Sequence, residues 1–306
     1  MTSVFSSLQK SYSLTKASLT VLRADKELFF YALAAGFFHF LLLFAVVFSF
    51  YFVFLSPTRL VSEPNIVLIF LFFLPFFFLF SLITNLFIFG VVYTSKERFK
   101  GNNATVFSTL RYVLSRFYSI VVWSFFTAFV RWFIELLATL LRKKLSSARF
   151  GSDSLKTPLS LLSFLLSEAW GVLAMLVPAI MVIDNTEPIP AIKHSYFTLK
   201  KNWGQRLIKR YGFSPLIGLF AFASLLLLVL LVLGFTLFLS DSHPLTYDFL
   251  VKSSMIAVLL FNLWLIVFFS ILSHIYNTAL YWYTKTGEVP LRFNEQLLKE
   301  PFEKAQ

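Results

Sequence analysis

The chain has 306 residues, of which 58% are hydrophobic, 19% aromatic and only 14% charged, and its formal net charge is +12. A soluble globular domain carries about 25% charged residues, so the composition excludes an ordinary water-soluble domain. There is no cysteine, which rules out disulfides, thiolate nucleophiles and Cys-ligated metals.

The polar opening segment, Met1 to Lys26, lacks a short apolar stretch followed by a small-residue cleavage site, and no removable signal peptide is expected. Within it Phe5, Leu8, Tyr12, Leu19 and Leu22 fall on one helical stripe, with Lys10, Lys16 and Arg23 largely off it. A helix needs about 20 apolar residues to cross roughly 30 Å of hydrocarbon. The first run long enough is Leu28 to Leu55, and the second is Ile66 to Tyr93, which contains Pro75 and Asn85. A second amphipathic stripe follows, Val106, Leu110, Val113 and Phe117, flanked by Arg111 and Arg116. The third run, Tyr118 to Leu141, holds Arg131 and Glu135, and the fourth, Leu159 to Ile183, holds Glu168 and Pro178. A third stripe, Ile192, Tyr196, Leu199 and Trp203, opposes Lys193, Lys200 and Lys201. The fifth run is Leu216 to Leu239 and the sixth Met255 to Tyr283, with Asn262, His274 and Asn277 inside it. These runs are far longer than strands and lack strict alternation, which argues against a barrel.

The expected fold class is therefore all-α: a bundle of six spans with three basic amphipathic helices lying in the headgroup layer. Most Lys and Arg residues fall before span one, between spans two and three, between spans four and five, and in the C-terminal tail (284–306). That distribution predicts both termini on the cytoplasmic side. The loop from Arg142 to Thr157, which carries five cations, runs against the rule. Either it is a tolerated exception, or the third run does not fully cross. The order of elements suggests a single domain over 1–306 built from three pseudo-repeats, near 1–94, 95–184 and 185–290, each an amphipathic helix followed by a two-span hairpin.

At the C-terminal end, Tyr276-Asn277-Thr278-Ala279-Leu280-Tyr281-Trp282-Tyr283 precedes Thr286-Gly287-Glu288-Val289-Pro290, Phe293, Leu297-Leu298 and Phe302. Together with Ser18, Val21-Leu22 and Asp25-Lys26-Glu27-Leu28, and with the stretch from Ala169-Trp170 through Val177-Pro178 to Pro188, Ala191 and Ser195, this motif resembles an uncharacterised prokaryotic six-helix integral membrane family. That family is in turn distantly similar to the membrane domain fused to glycerophosphodiester phosphodiesterases. The resemblance implies a six-helix fold in a bacterial or archaeal cytoplasmic membrane, and it implies no activity.

Signatures of common enzymes are missing: there is no HExxH, GxSxG, Walker loop or strand-borne GxGxxG. His39, His194, His243 and His274 are scattered, and two ligands make a poor metal site, so neither metal nor other cofactor is expected. Charges inside spans say more, because an unpaired Arg or Glu at mid-bilayer costs about 2.5–3.5 kcal/mol on insertion scales. Arg131 and Glu135 share a helix face, and an antiparallel hairpin would set Glu168 at similar depth. With Asn85, Asn262, His274 and Asn277 these residues form a candidate intramembrane polar site, read either as packing or as a polar pathway. Lys10, Lys16, Arg111, Arg116, Lys193, Lys200 and Lys201 are the expected lipid-headgroup contacts. The basic balance also raises nucleic acid as a partner, but cations confined between apolar runs suit anionic lipid instead. Membrane lipid is thus the expected partner, and nucleic acid is not. The sequence favours a non-enzymatic module acting on lipid or a small solute, with a scaffold as the alternative and an intramembrane enzyme third.

Overall fold

The computed structural model describes residues 2–23, 25–55, 66–146, 153–202, 214–239 and 244–299, and every regular element among them is helical. Helix α1 covers Thr2–Arg23 and α2 Lys26–Phe50, which runs on into a π turn over Tyr51–Leu55. After these come α3 (Ile66–Phe99), α4 (Val106–Ser115) and α5 (Phe117–Ser146). Then follow α6 (Asp153–Ala174), α7 (Val177–Ile183) and α8 (Pro188–Asn202). The chain closes with α9 (Ser214–Leu239), α10 (Pro244–Thr286) and the short α11 (Glu295–Lys299).

Six segments are long and apolar enough to cross a membrane: Lys26–Phe54, Leu71–Phe99, Phe117–Leu141, Leu165–Ile183, Leu216–Thr236 and Thr246–Thr286. Each corresponds to one of the six runs anticipated from the sequence. Local chemistry sets their ends. Asp25 caps α2 by accepting the Glu27 backbone N–H at 3.1 Å. Thr105 and Ser108 form a reciprocal capping box at the start of α4, and Gly101, at φ +82°, supplies the left-handed turn after α3. Pro75 is accommodated within α3. The fourth span, by contrast, is broken at Met175–Leu176 into α6 and α7, with Pro178 in the first turn of the new helix, where a missing N–H costs nothing.

The returning helices α3, α7 and α10 pack against one another, while α2, α5 and α9 lie against them from outside. Their contact is a core of Val91, Val92, Val177, Ile180, Ile275 and Ala279, all at most 1% exposed. This core sits at the end of the bundle where α1, α4, α8 and α11 gather, called here the basic end. Towards the opposite, far end the same helices present Phe44, Phe48, Leu71, Phe77, Leu226, Leu227 and Ile256 outward.

The amphipathic stripes read from the sequence are divided between two surroundings. The surfaces turned to the bundle are Leu14, Ser18, Val21 and Leu22 in α1, Thr109 and Val113 in α4, and Ala191, Ser195 and Thr198 in α8. Of the stripe residues read from the sequence, Leu22 and Val113 are among these buried positions, whereas Tyr12, Leu110 and Tyr196 are 61%, 51% and 50% exposed. Small and hydroxyl-bearing residues let helices approach closely; the Ser195 hydroxyl donates to the Leu173 carbonyl at 2.7 Å, and the Thr94 and Thr109 hydroxyls meet at 3.0 Å. Trp203, and residues 147–152 of the basic 142–157 loop, lie outside the described residues.

Candidate functional site

Polar side chains collect in two places. The first is the basic end, where three clusters tie the helix junctions together. Asp25, 4% exposed, pairs with Arg98, whose guanidinium also lies 3.6 Å from Glu27. Burial alone would push the Asp25 carboxyl up; hydrogen bonds from Glu27 and Arg98 and the Arg98 charge outweigh it and hold the carboxyl below its ordinary range. Between α4, α5 and α8, Arg116 donates to Asn185 and, at 3.1 Å, to Glu187, which also accepts from the Ser119 hydroxyl at 2.7 Å. Asn185 takes φ +57°, a conformation that asparagine tolerates and that turns the chain from α7 into α8.

Asp184 is the hub of the third cluster. It accepts from Tyr281 Oη at 2.5 Å and Lys285 Nζ at 2.6 Å, and lies 3.1 Å from His194 Nδ1. Beside it Lys96 Nζ donates to the Val182 carbonyl at 2.9 Å. Asp184 thereby holds α7, α8 and α10 together, and Lys96 adds α3. Sequence reasoning placed none of Asp25, Asp184 or Glu187 in a site. The one available signal was their position as the few acids next to span ends in a strongly basic chain.

The second region is inside the spans. Asn85 Nδ2 donates to Ser81 Oγ and Ser124 Oγ, each at 3.2 Å, and Ser81 Oγ lies 2.6 Å from Thr127 Oγ1, so α3 and α5 share a polar seam. Asn262 Nδ2 donates to Ser224 Oγ at 2.9 Å, linking α10 to α9. Asn277 Nδ2 reaches the Met175 carbonyl in the α6–α7 break at 3.4 Å. His39 is buried, with Nδ1 2.6 Å from the Ala35 carbonyl and Nε2 2.8 Å from Thr84 Oγ1. The predicted polar residues are therefore spread over separate helix contacts. Asn85 and Arg131 share the α3–α5 side; Asn262, His274 and Asn277 lie along α10.

Arg131 does not pair with Glu135 or Glu168: all three side chains are exposed, and none has an ion-pair partner among the described residues. The ring of Trp170 lies 6.1 Å from both Trp123 and Phe126, which fixes the α5–α6 register and turns that side of α6 to α5. Glu168, two positions earlier, points roughly 200° round the helix and away from α5.

Of the expected headgroup contacts, Lys16, Arg111, Lys193 and Lys200 are exposed. Lys200 lies 6.0 Å over the Tyr196 ring. Arg116 instead spends its guanidinium on Glu187 and Asn185, and the side chains of Lys10 and Lys201 lie outside those described. Among the described residues no group of three or more His, Asp or Glu side chains is placed to hold a metal ion.

No curated protein and no solved structure matches the chain, and no link to the membrane domain of glycerophosphodiester phosphodiesterases is shown. A family model does match, across residues 63–291, covering five of the six candidate spans and all three polar clusters except the Asp25 side of the first. This multi-span helical chain belongs to the family of unknown function DUF6159.

Proposed function

We propose that the protein is a non-enzymatic module of the cytoplasmic membrane that engages lipid headgroups through the amphipathic helices at its basic end, with both termini on the cytoplasmic side. The observation carrying this reading is the corner of α4 and α5. There Phe107 and Tyr118 are 76% and 78% exposed, and Leu110 and Leu114 are 51% and 61% exposed, beside the exposed Arg111. Large apolar side chains interleaved with cations suit the boundary between acyl chains and anionic headgroups. Helix α8 repeats the pattern with Ile189, Tyr196 and Phe197 beside Lys193 and Lys200.

The ion-pair clusters support the same reading. They fasten α4 and α8 to the spans, so the exposed aromatics are held at a fixed height relative to the bundle.

Because the chain has no cysteine, single cysteines can be introduced without background. Spin labels at Phe107, Leu110, Leu114 and Phe197 should report shallow membrane depth, whereas labels at Asn103 should report water. Water-like depth at all four apolar positions would defeat the proposal. Maleimide labelling of Asn103→Cys from outside intact cells would reverse the orientation.

A further inference from the structure

Two surfaces at the basic end expose large apolar side chains, and their charges are arranged differently. On α8, Ile189, Lys193, Tyr196 and Lys200 fall within about 60° of one another round the helix, all exposed, on the side opposite the buried Ala191, Ser195 and Thr198. Both cations therefore stand inside the exposed apolar stripe. On α4, Val106, Leu110 and Leu114 form the exposed stripe, and Arg111 is about 100° round from Leu110, at its edge. The neighbouring Arg116 is taken up by Glu187 and Asn185.

Among the described residues neither Lys193 nor Lys200 has an ion-pair partner. The acids just before α8 are engaged elsewhere, Asp184 by Tyr281, Lys285 and His194, and Glu187 by Arg116 and Ser119. Contacts of the intervening residues fix the depth. His194 lies 3.1 Å from Asp184, the residue after the fourth span ends at Ile183, so Lys193 stands level with the end of that span, at headgroup depth. Ser195 reaches back to the Leu173 carbonyl, ten positions before Ile183. Helix α8 thus lies against the side of the bundle end, and its outward stripe faces the lipid boundary rather than open water. Lys200 is two turns beyond Lys193, but its Nζ lies 6.0 Å over the Tyr196 ring, which carries the ammonium back towards Lys193.

We infer that the outward stripe of α8 binds anionic phospholipid, with headgroup phosphate held by Lys193 and Lys200 on either side of Tyr196, and that α8 rather than the α4–α5 corner sets the charge preference of the surrounding lipid. Two ammonium groups with no acid against them leave an uncompensated positive charge, which a zwitterionic headgroup, bringing its own cation, does not neutralise. Ammonium and phosphate form charge-assisted hydrogen bonds, while Ile189 and the Tyr196 ring offer apolar surface to the acyl chains beside them. At the α4–α5 corner one free cation accompanies Phe107, Leu110, Leu114 and Tyr118, so that surface gains mainly by apolar insertion and is nearly indifferent to headgroup charge. The inference rests on the headgroup contact proposed above and names its lipid class.

The test uses the full chain reconstituted with dioleoyl phosphatidylethanolamine and dioleoyl phosphatidylglycerol in equal amounts, followed by native mass spectrometry of the retained lipid. The wild type should retain phosphatidylglycerol preferentially. Lys193→Gln and Lys200→Gln should each lower that preference by about fivefold, the effect of one cation near an anionic surface. Lys193→Arg and Lys200→Arg should keep it, and Arg111→Gln should change it by less than about twofold. Spin-label depth at Phe107 in the same samples separates the two readings: water-like depth there defeats the headgroup contact itself, whereas shallow depth with an unchanged preference in both glutamine variants overturns the α8 site alone. An Arg111→Gln loss as large as that of either lysine variant overturns it as well. Displacement of the lipid by inorganic phosphate or polyglutamate, at an ionic strength where chloride displaces none, would make the occupant a soluble anion and overturn it too. So would a dimer cross-linked through Tyr196→Cys, in which a second copy covers the stripe.

Discussion

The two ends of α3 obey different rules within one continuous helix. From Ile88 to Ser95 every residue except Tyr93 is buried, whereas Leu71, Phe77, Leu79 and Phe80 are between 38% and 51% exposed. Helix α10 repeats the contrast, with Leu272, Ile275 and Ala279 fully buried and Met255, Ile256 and Leu259 more than half exposed. Hydrophobicity does not distinguish the halves, because both are apolar. What differs is what lies at the end: ion pairs between elements and amphipathic helices clamp the basic end, whereas the ion pair described at the far end, Lys252–Asp248, stays within α10, and the Thr236–Tyr247 hydroxyl contact links α9 to α10 alone. Apolar side chains gain little by leaving lipid for protein, so tight packing follows polar fastening and small residues.

If the basic half is the folded core and the far half a lipid-facing extension, equal truncations must have unequal effects. Ile180→Ala, at a fully buried site, should destabilise by about 2–5 kcal/mol through lost contacts and a residual cavity. Leu227→Ala, at a site 55% exposed on α9, should cost under about 0.5 kcal/mol, since lipid fills the space. The readout is unfolding in mixed micelles at increasing SDS fraction. Equal costs would break the comparison.

The fastening itself is tested next. Asp184→Ala leaves Tyr281, Lys285 and His194 without their shared acceptor, and should cost about 1.5–3 kcal/mol, the range for hydrogen bonds to charged groups. Lys285→Ala should cost less, because that side chain is 47% exposed and screened by water. In a double-mutant cycle the two changes should fall short of additivity. Strict additivity would mean that Asp184 acts through Tyr281 and His194 and not through Lys285.

Acid should weaken the same end. The Asp25 carboxyl titrates below its unfolded value of about 3.9, so its contribution is complete above that pH and disappears as pH falls through the folded value. Asp25→Asn should remove the part of the stability loss that occurs below about pH 4, and should cost about 1 kcal/mol at neutral pH by breaking the Arg98 pair. An unchanged acid profile would dissociate Asp25 from the clamp.

The span pattern was legible because twenty apolar residues in a row have few other solutions. The stripes of α1, α4 and α8 were legible only in part. In a membrane-associated helix the large apolar face can turn to lipid, so periodicity located Tyr12, Leu110 and Tyr196 without saying which side was protein. The break at Met175–Leu176 was signalled by Pro178. The Asp184 cluster was not legible, because it joins residues 97 and 101 positions apart through a loop of unremarkable composition. For Arg131 and Glu168, equal depth was estimated from loop symmetry, whereas the tilted ring contacts of Trp170 with Trp123 and Phe126 decided the rotation of α6.

The smallest expected effect concerns the amides, and it sharpens the comparison most. Asn85 and Asn262 each bridge two spans by donating to a serine hydroxyl, at 3.2 Å and 2.9 Å respectively. Distance alone would make Asn262 the stronger link. Asn85, however, is 6% exposed in the seam that closes against the core, while Asn262 is half-buried on α10 beside exposed Phe261 and Leu259. Interhelical hydrogen bonds in membranes average about 0.6 kcal/mol and reach about 1.7 kcal/mol, because the separated helices find other polar partners. The buried site offers fewer such alternatives to the Ser124 hydroxyl, so Asn85→Leu should lie towards the upper figure and Asn262→Leu at or below the average. Leucine also fits poorly between α3 and α5, where a branched apolar group must displace the Ser81 and Ser124 hydroxyls, but meets one serine, Ser224, at the half-buried Asn262. A ranking in the opposite order, measured by the same SDS titration, would show that hydrogen-bond length and not the packing of each half sets the strength of these contacts.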